Sequence, residues 1–239
     1  MGRATRLSRY VTGLDKTYTA TARFGATSDT LDADGEITDL DTGLPNEDEL
    51  RAGASTFTGE LDQIPPMASA VKVDGERLYN VHRRGETVDR ESRSIKVHSF
   101  DLVSYNSPER SATFRVSCSS GTYVRSLIAD LADSLDTAAY LTDLRRESVG
   151  DLTVRDAATL DSLSHKDLYT RIIQPSIVMS HLPAVQVSIP QRREVANGRE
   201  ITYSGHSGAI RVESEDELLA IYVGDGSVAR PEVVLCAAQ

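Results

Sequence analysis

Gly121-Thr122-Tyr123-Val124-Arg125-Ser126-Leu127-Ile128-Ala129-Asp130-Leu131, running on to Leu135, is the stretch from which the fold is read. Val124, Leu127, Ile128, Leu131 and Leu135 recur at steps of three and four, the spacing of one helix face, so a helix is predicted over Tyr123–Leu135. Arg125 then falls in its first turn, beside the apolar face and not on it. Working outward, Ser111–Cys118 and Arg93–Val103 read as strands, with Asn106-Ser107-Pro108 as the turn signal between them. Tyr18–Phe24 alternates with period two and is rich in Thr and aromatics, so it too reads as a strand. The polar run Ser28–Gly35 has no period and reads as a loop. Asn46 caps a short helix over 47–53, with Glu47, Asp48 and Glu49 in its first turn. A second helix is expected near 138–146, a strand from Ser148 to Val154, and a helix over Asp161–Ile173 ended by Pro175.

From Leu182 the texture changes to short apolar runs (Val185–Ile189, Ala209–Val212, Leu218–Val223, Val228–Leu235) separated by Gly-containing turns. A boundary is drawn at 181/182, marked by His181-Leu182-Pro183, with a small β-rich module behind it. The order of elements predicts an α+β chain and not alternating β/α units.

The 239 residues carry 26 Lys+Arg against 36 Asp+Glu, a formal charge of −10. Residues 27–62 alone hold one basic and eleven acidic residues, which equals that total. Mildly basic stretches flank this segment, so composition neither requires nor forbids a polyanionic partner. No run approaches the roughly 20 apolar residues of a membrane helix, and nothing apolar follows the basic N-terminal residues as a secretory signal requires. Cys118 and Cys236 are too far apart in sequence for a disulfide framework or a zinc site. These features point to a cytosolic protein. His82, His98, His165, His181 and His206 are scattered without metal-binding spacing, and no P-loop or dinucleotide fingerprint occurs.

Three stretches together go further. The first is Asp15-Lys16-Thr17-Tyr18-Thr19-Ala20-Thr21-Ala22-Arg23-Phe24-Gly25, followed by Ser28-Asp29-Thr30 and Asp32-Ala33-Asp34-Gly35. The second is Ile64-Pro65-Pro66-Met67-Ala68-Ser69-Ala70-Val71-Lys72-Val73-Asp74-Gly75, then Arg77-Leu78-Tyr79 and Arg83-Arg84-Gly85. The third is Cys118–Leu131, then Leu141-Thr142-Asp143-Leu144-Arg145-Arg146 and Val149-Gly150. In order and spacing they resemble the bacterial TruB family, the tRNA pseudouridine-55 synthases. The likeness covers residues 2 to about 156.

The resemblance implies a mixed, mainly antiparallel sheet with flanking helices over 1–181, and a small PUA-like β-rich domain over 182–239. It also implies an isomerase that converts uridine-55 in the T-stem-loop of tRNA, as a monomer, without cofactor or metal. Tyr18 is implied as the platform for the target base and as a catalytic residue. Arg125 is implied as the partner of a nucleophilic carboxylate. Tyr123 and Leu144 match uridine-contacting positions, and Asp29 and Asp32 match acidic positions near the site. On periodicity alone Leu144 is a core leucine. Lys72, Arg77, Arg83, Arg84, Arg145 and Arg146 are candidates for phosphate contacts. Ala68 stands where many members have Tyr.

Family members carry the nucleophile in a Gly-Thr-Leu-Asp-Pro-x-Ala-Thr-Gly motif upstream of the segment matching Gly2–Leu7. Nothing in 1–239 matches it; Thr30-Leu31-Asp32 echoes it but continues as Ala33-Asp34-Gly35. The 239 residues are therefore expected to be an N-terminally incomplete and inactive form. The alternative is a non-catalytic tRNA-binding or tRNA-folding module with the same cleft.

Overall fold

The computed structural model describes residues 2–164 and 169–236. Two compact units form, one over Leu14–Arg155 and one from the residues up to Gly13 together with those from Asp156 onward. This division differs from the boundary drawn at 181/182, because residues 2–13 and the stretch after Asp156 pack with the tail. Leu7 is buried with Met179, Leu218, Ile221 and Val233 in a small core. Helix α1, Ser8–Thr12, follows Leu7. Arg3 donates to the carbonyls of Leu235 and Cys236, and Arg6 to that of Val234. These N-terminal cations are thus engaged within their own unit.

The Leu14–Arg155 unit contains strands β1 (Lys16–Phe24), β2 (Ala26–Ser28) and β3 (Ile37–Asp39), then helix α2 (Glu47–Thr56) and β4 (Gly59–Gln63). It continues through β5 (Lys72–Val73), β6 (Glu76–Arg77), helix α3 (Leu78–Arg83), β7 (Arg93–Asn106) and β8 (Ser111–Cys118). Helix α4 (Val124–Asp133), β9 (Ala139–Val149) and β10 (Leu152–Thr153) complete it. One antiparallel sheet runs β10-β9-β1-β8-β7-β4. The alternation read in β1 is real: Ala20, Ala22 and Phe24 are buried, whereas the residues between them are not. That face packs with Leu50 and Ala54 of α2 and with Val124, Leu127, Ile128, Leu131 and Ala132 of α4 into one core. Asn46 closes the N-terminus of α2 as expected: its side chain accepts from the Glu49 N–H at 3.0 Å, and the Glu49 carboxylate accepts from its N–H at 2.8 Å.

Four expectations are corrected. Residues 138–146 are not helical; from Ala139 on they belong to β9, which pairs with β1 from Lys16 to Phe24. The spacing of Leu141 and Leu144 mimics a helical step, but the run is short, and backbone pairing with β1 decides its conformation. Of the strand expected over Ser148–Val154, its first residues end β9 and only the two-residue β10 follows. In place of a helix over Asp161–Ile173 there are 3₁₀ turns at Leu160–Ser162 and Tyr169–Arg171. Residues 165–168 of that stretch lie outside the described residues. Pro175 opens helix α5, Pro175–Val178, instead of closing one, since a proline's missing N–H is harmless in a first turn.

The other unit continues with β11 (Ala184–Gln186), α6 (Ile189–Ala196), β12 (Ile201–Thr202), β13 (Gly208–Ser214), β14 (Glu217–Gly224) and β15 (Val228–Val234). These strands form a five-stranded sheet, β11-β13-β14-β15-β12. The apolar run Val185–Ile189 is thus divided, its first residues ending β11 and Ile189 beginning α6. The buried Glu213 carboxylate is satisfied by Arg211 at 2.9 Å and by the Gln186 amide at 3.1 Å. Among the described residues no helix is long and apolar enough to cross a membrane.

The loop read over Ser28–Gly35 is a compact turn between β2 and β3. Leu31 adopts φ 63°, its carbonyl accepts from the Leu141 N–H at 3.0 Å, and Asp32 bridges to Leu141. The turn is thereby fastened to β9. Gly35 lies so close to its centre that a Cβ there would overlap Asp29 Oδ1, Thr30 Oγ1 and Ser28 Oγ. Gly43, by contrast, has nothing within 4 Å of such an atom. In urea unfolding, Gly35→Ala should cost about 1–3 kcal/mol, the usual effect of overpacking. Gly43→Ala should be neutral or slightly stabilising. Equal effects at the two sites would contradict this account of the turn.

Candidate active site

The site is built around Arg125. In the first turn of α4, its guanidinium donates from Nη1 to the Thr30 carbonyl at 2.8 Å and to Asp32 Oδ2 at 2.7 Å. From Nη2 it donates to the Ala68 carbonyl at 2.7 Å. Both partners of the ion pair are largely shielded, the side chains being 20% and 27% exposed. A charged hydrogen bond in such surroundings is stronger than its surface counterpart. The other Asp32 oxygen accepts from Thr30 Oγ1 at 2.6 Å and from the Asp34 N–H at 3.2 Å. Asp32 is thus held at both oxygens, and Arg125 is gripped by two segments remote in sequence. Because Ala68 contributes its carbonyl, the absence of a tyrosine side chain at that position leaves this bond intact.

Asp29 takes a different place. Its Oδ1 accepts from the Glu36 N–H at 2.8 Å, and its Oδ2 lies 3.3 Å from Nε2 of His82 on α3. It braces the turn that carries Asp32 and connects that turn to the segment between β4 and β7.

Tyr18, Leu144 and Arg146 share one face of the β1–β9 pair. Tyr18 lies opposite Arg146, and Leu144 opposite the buried Ala20. Leu144 is not the core leucine that its pattern suggests; it is 43% exposed. Tyr18 is partly buried, and burial pushes its hydroxyl pKa up, with Cys118 adding to the shift. The Arg146 guanidinium opposes this by its charge and by a hydrogen bond to the hydroxyl. At neutral pH Tyr18 is therefore a protonated, amphipathic ring suited to stacking.

Tyr123 is the residue before α4, in extended conformation and with no side-chain cap on the helix. Gln63, at the end of β4, accepts from its N–H at 2.8 Å and donates to its carbonyl at 3.1 Å. Sequence reasoning missed Gln63, His82 and the carbonyls of Thr30 and Ala68. Backbone acceptors and single buried amides leave no periodic trace.

The six candidate phosphate ligands divide. Arg77 and Arg83 flank the Tyr79 ring, 5.9 and 5.6 Å from its centroid. Lys72 is exposed on β5. Arg84 is clamped by the carboxylates of Glu76 and Glu86, with contacts from 2.6 to 3.1 Å. Arg145 lies 3.5 Å from Glu147, and Arg146 is the partner of Tyr18.

Known proteins resemble this chain in sequence and in fold. A family model described as "TruB family pseudouridylate synthase (N terminal domain)" matches residues 1–124. The chain is 37% identical over 243 residues to tRNA pseudouridine synthase B of Burkholderia mallei (strain NCTC 10247), covering 97% of this chain and 80% of that one. It is 38% identical over 242 residues to the enzyme of the same name from Thermobifida fusca (strain YX), covering 98% and 82%. Among solved structures, a Cbf5-Nop10-Gar1 complex matches the fold with a TM-score of 0.74 at 21% identity, covering 99% of this chain and 71% of the other. An H/ACA RNP bound to a substrate RNA containing 2′-deoxyuridine matches at 0.70 and 20%, with the same coverage. A family match over more than half of the residues, joined to relatives of this identity across nearly the whole chain, makes the protein a member of the TruB family of pseudouridine synthases, which are isomerases.

Proposed function

We propose that the chain binds tRNA by its T-stem-loop, as a monomer, and receives uridine-55 beside the Asp32–Arg125 pair. The observation that carries this reading is the triple anchoring of Arg125 to Thr30, Asp32 and Ala68. A guanidinium fixed in this way, with further N–H groups to offer, is prepared to orient a second carboxylate. The names of the relatives supply the substrate class, tRNA.

The reaction breaks the N1–C1′ bond of uridine, turns the base, and forms a C5–C1′ bond, the C5 proton leaving as N1 regains one. Nothing is oxidised or reduced, so no cofactor enters the balance. The target base must leave its stack to be reached, and Tyr18 offers it an aromatic face, with Tyr123 and Leu144 completing the contact. Asp32 is assigned as the anchor of Arg125 and not as nucleophile, since both its oxygens are already engaged. Asp29 braces the same turn. The nucleophile belongs to the Gly-Thr-Leu-Asp-Pro motif, which residues 1–239 do not contain. The β-rich unit is read as PUA-like.

Residues 1–239 alone should bind a T-arm transcript and form no pseudouridine. A version carrying the motif upstream of Gly2 should convert uridine-55. Turnover by the 239-residue chain would make Asp32 the nucleophile and overturn the assignment. Binding without turnover by both versions would favour a non-catalytic tRNA-folding role.

The basic residues should separate in the same binding assay. Arg83→Ala should weaken T-arm binding and lower the salt slope by about 0.7–0.9, the signature of one lost phosphate contact. Arg84→Ala should change both little, because Glu76 and Glu86 already neutralise that cation. The opposite ranking would show that the clamp opens for RNA.

A further inference from the structure

Gln63 is 4% exposed at the end of an edge strand, and its carboxamide meets both backbone groups of Tyr123, sixty residues away. A carboxamide holds one acceptor and one donor in a single plane, the same pair that a peptide group presents. It can therefore grip one residue's N–H and C=O together, as a neighbouring strand would. No other uncharged side chain of this size does so except asparagine, which is one methylene shorter. In water such bonds contribute little, but here they are part-buried, and losing Gln63 leaves the Tyr123 N–H without its acceptor, while the Tyr123 carbonyl keeps only the Leu127 N–H at 3.1 Å. Helix α4 has no side chain of its own at its N-terminal cap. The setting of its first turn is thus dictated from β4, and that turn carries Arg125 two residues after Tyr123.

We infer that Gln63 is a positioning residue of the pseudouridine synthase site: by clamping the Tyr123 backbone it sets the Tyr123 ring toward the flipped base and the first turn of α4 that carries Arg125 beside it. This rests on reading the cleft as a uridine site. It adds a residue that touches neither substrate nor the Asp32–Arg125 pair. Gln63 acts only through main chain, so its loss should blunt recognition of the base and spare the phosphate contacts.

The test uses the 239-residue chain, with Gln63→Met and Gln63→Glu as variants. The probes are two T-arm transcripts, one with uridine and one with an abasic nucleotide at position 55. Wild type should bind the uridine arm more tightly. Gln63→Met should lose most of that preference while holding the abasic arm as wild type does, and its Tyr123 amide should exchange with solvent about tenfold faster or more. Gln63→Glu should resemble Gln63→Met at about pH 8. It should recover the uridine preference, relative to wild type at the same pH, near pH 5. There its buried carboxyl is protonated and again offers one donor and one acceptor. A residue that merely supported the fold would weaken both arms together, and that result overturns the inference. So does an undiminished preference in Gln63→Met, or a Tyr123 amide that exchanges at the wild-type rate. A wild-type chain that binds both arms alike would instead overturn the uridine reading on which the inference stands.

Discussion

The guanidinium of Arg125 is the constraint from which the site follows. A cation withdrawn this far from water must find several acceptors at once, since leaving a buried charge uncompensated costs about 3–5 kcal/mol, a large share of a fold's net stability. Its acceptors are Thr30, Asp32 and Ala68, brought from segments about 95 and 57 residues distant. The β2–β3 turn must therefore close tightly, which demands glycine at 35, and must be fastened to β9 through Leu31 and Leu141. The segment after β4 must place its Ala68 carbonyl over α4. Each of these local features is intelligible only together with the others.

The same accounting explains the acidic segment 27–62, which at first sight opposes RNA binding. Many of its carboxylates have structural partners. Asp32 pairs with Arg125, Asp29 takes the Glu36 N–H and faces His82, and Asp39 pairs with Arg23. Glu47 pairs with Arg51, and Glu49 closes the cap of α2. Charges held in this way add less to the repulsive field than their number suggests. Conversely, Arg84 serves a carboxylate clamp, and its formal charge overstates what it offers to phosphate.

How much was legible in the sequence follows from range. Helix α4, strand β1 and the Asn46 cap were readable because their signals repeat every two or three to four residues, or lie within one turn. Strand β9 was misread because Leu141 and Leu144 imitate a helical step, whereas its conformation is imposed by pairing with β1 more than a hundred residues earlier. Leu144 looked like core because hydrophobicity carries no record of exposure. The likeness to a known family identified Arg125 as one half of an ion pair. It could not show Asp32 as the partner held here, because a contact across 93 residues leaves no periodic mark. Gln63 was invisible for the same reason.

The most direct test of the central constraint is a double-mutant cycle on Arg125 and Asp32, with Arg125→Met, Asp32→Asn and the double variant compared by urea unfolding. If the pair is the junction described here, the single changes will each destabilise the chain, and the double will cost less than their sum. The coupling should be about 0.5–3 kcal/mol, the range for directly interacting residues. Costs that add to within about 0.3–0.5 kcal/mol, as those of independent sites do, would contradict the account.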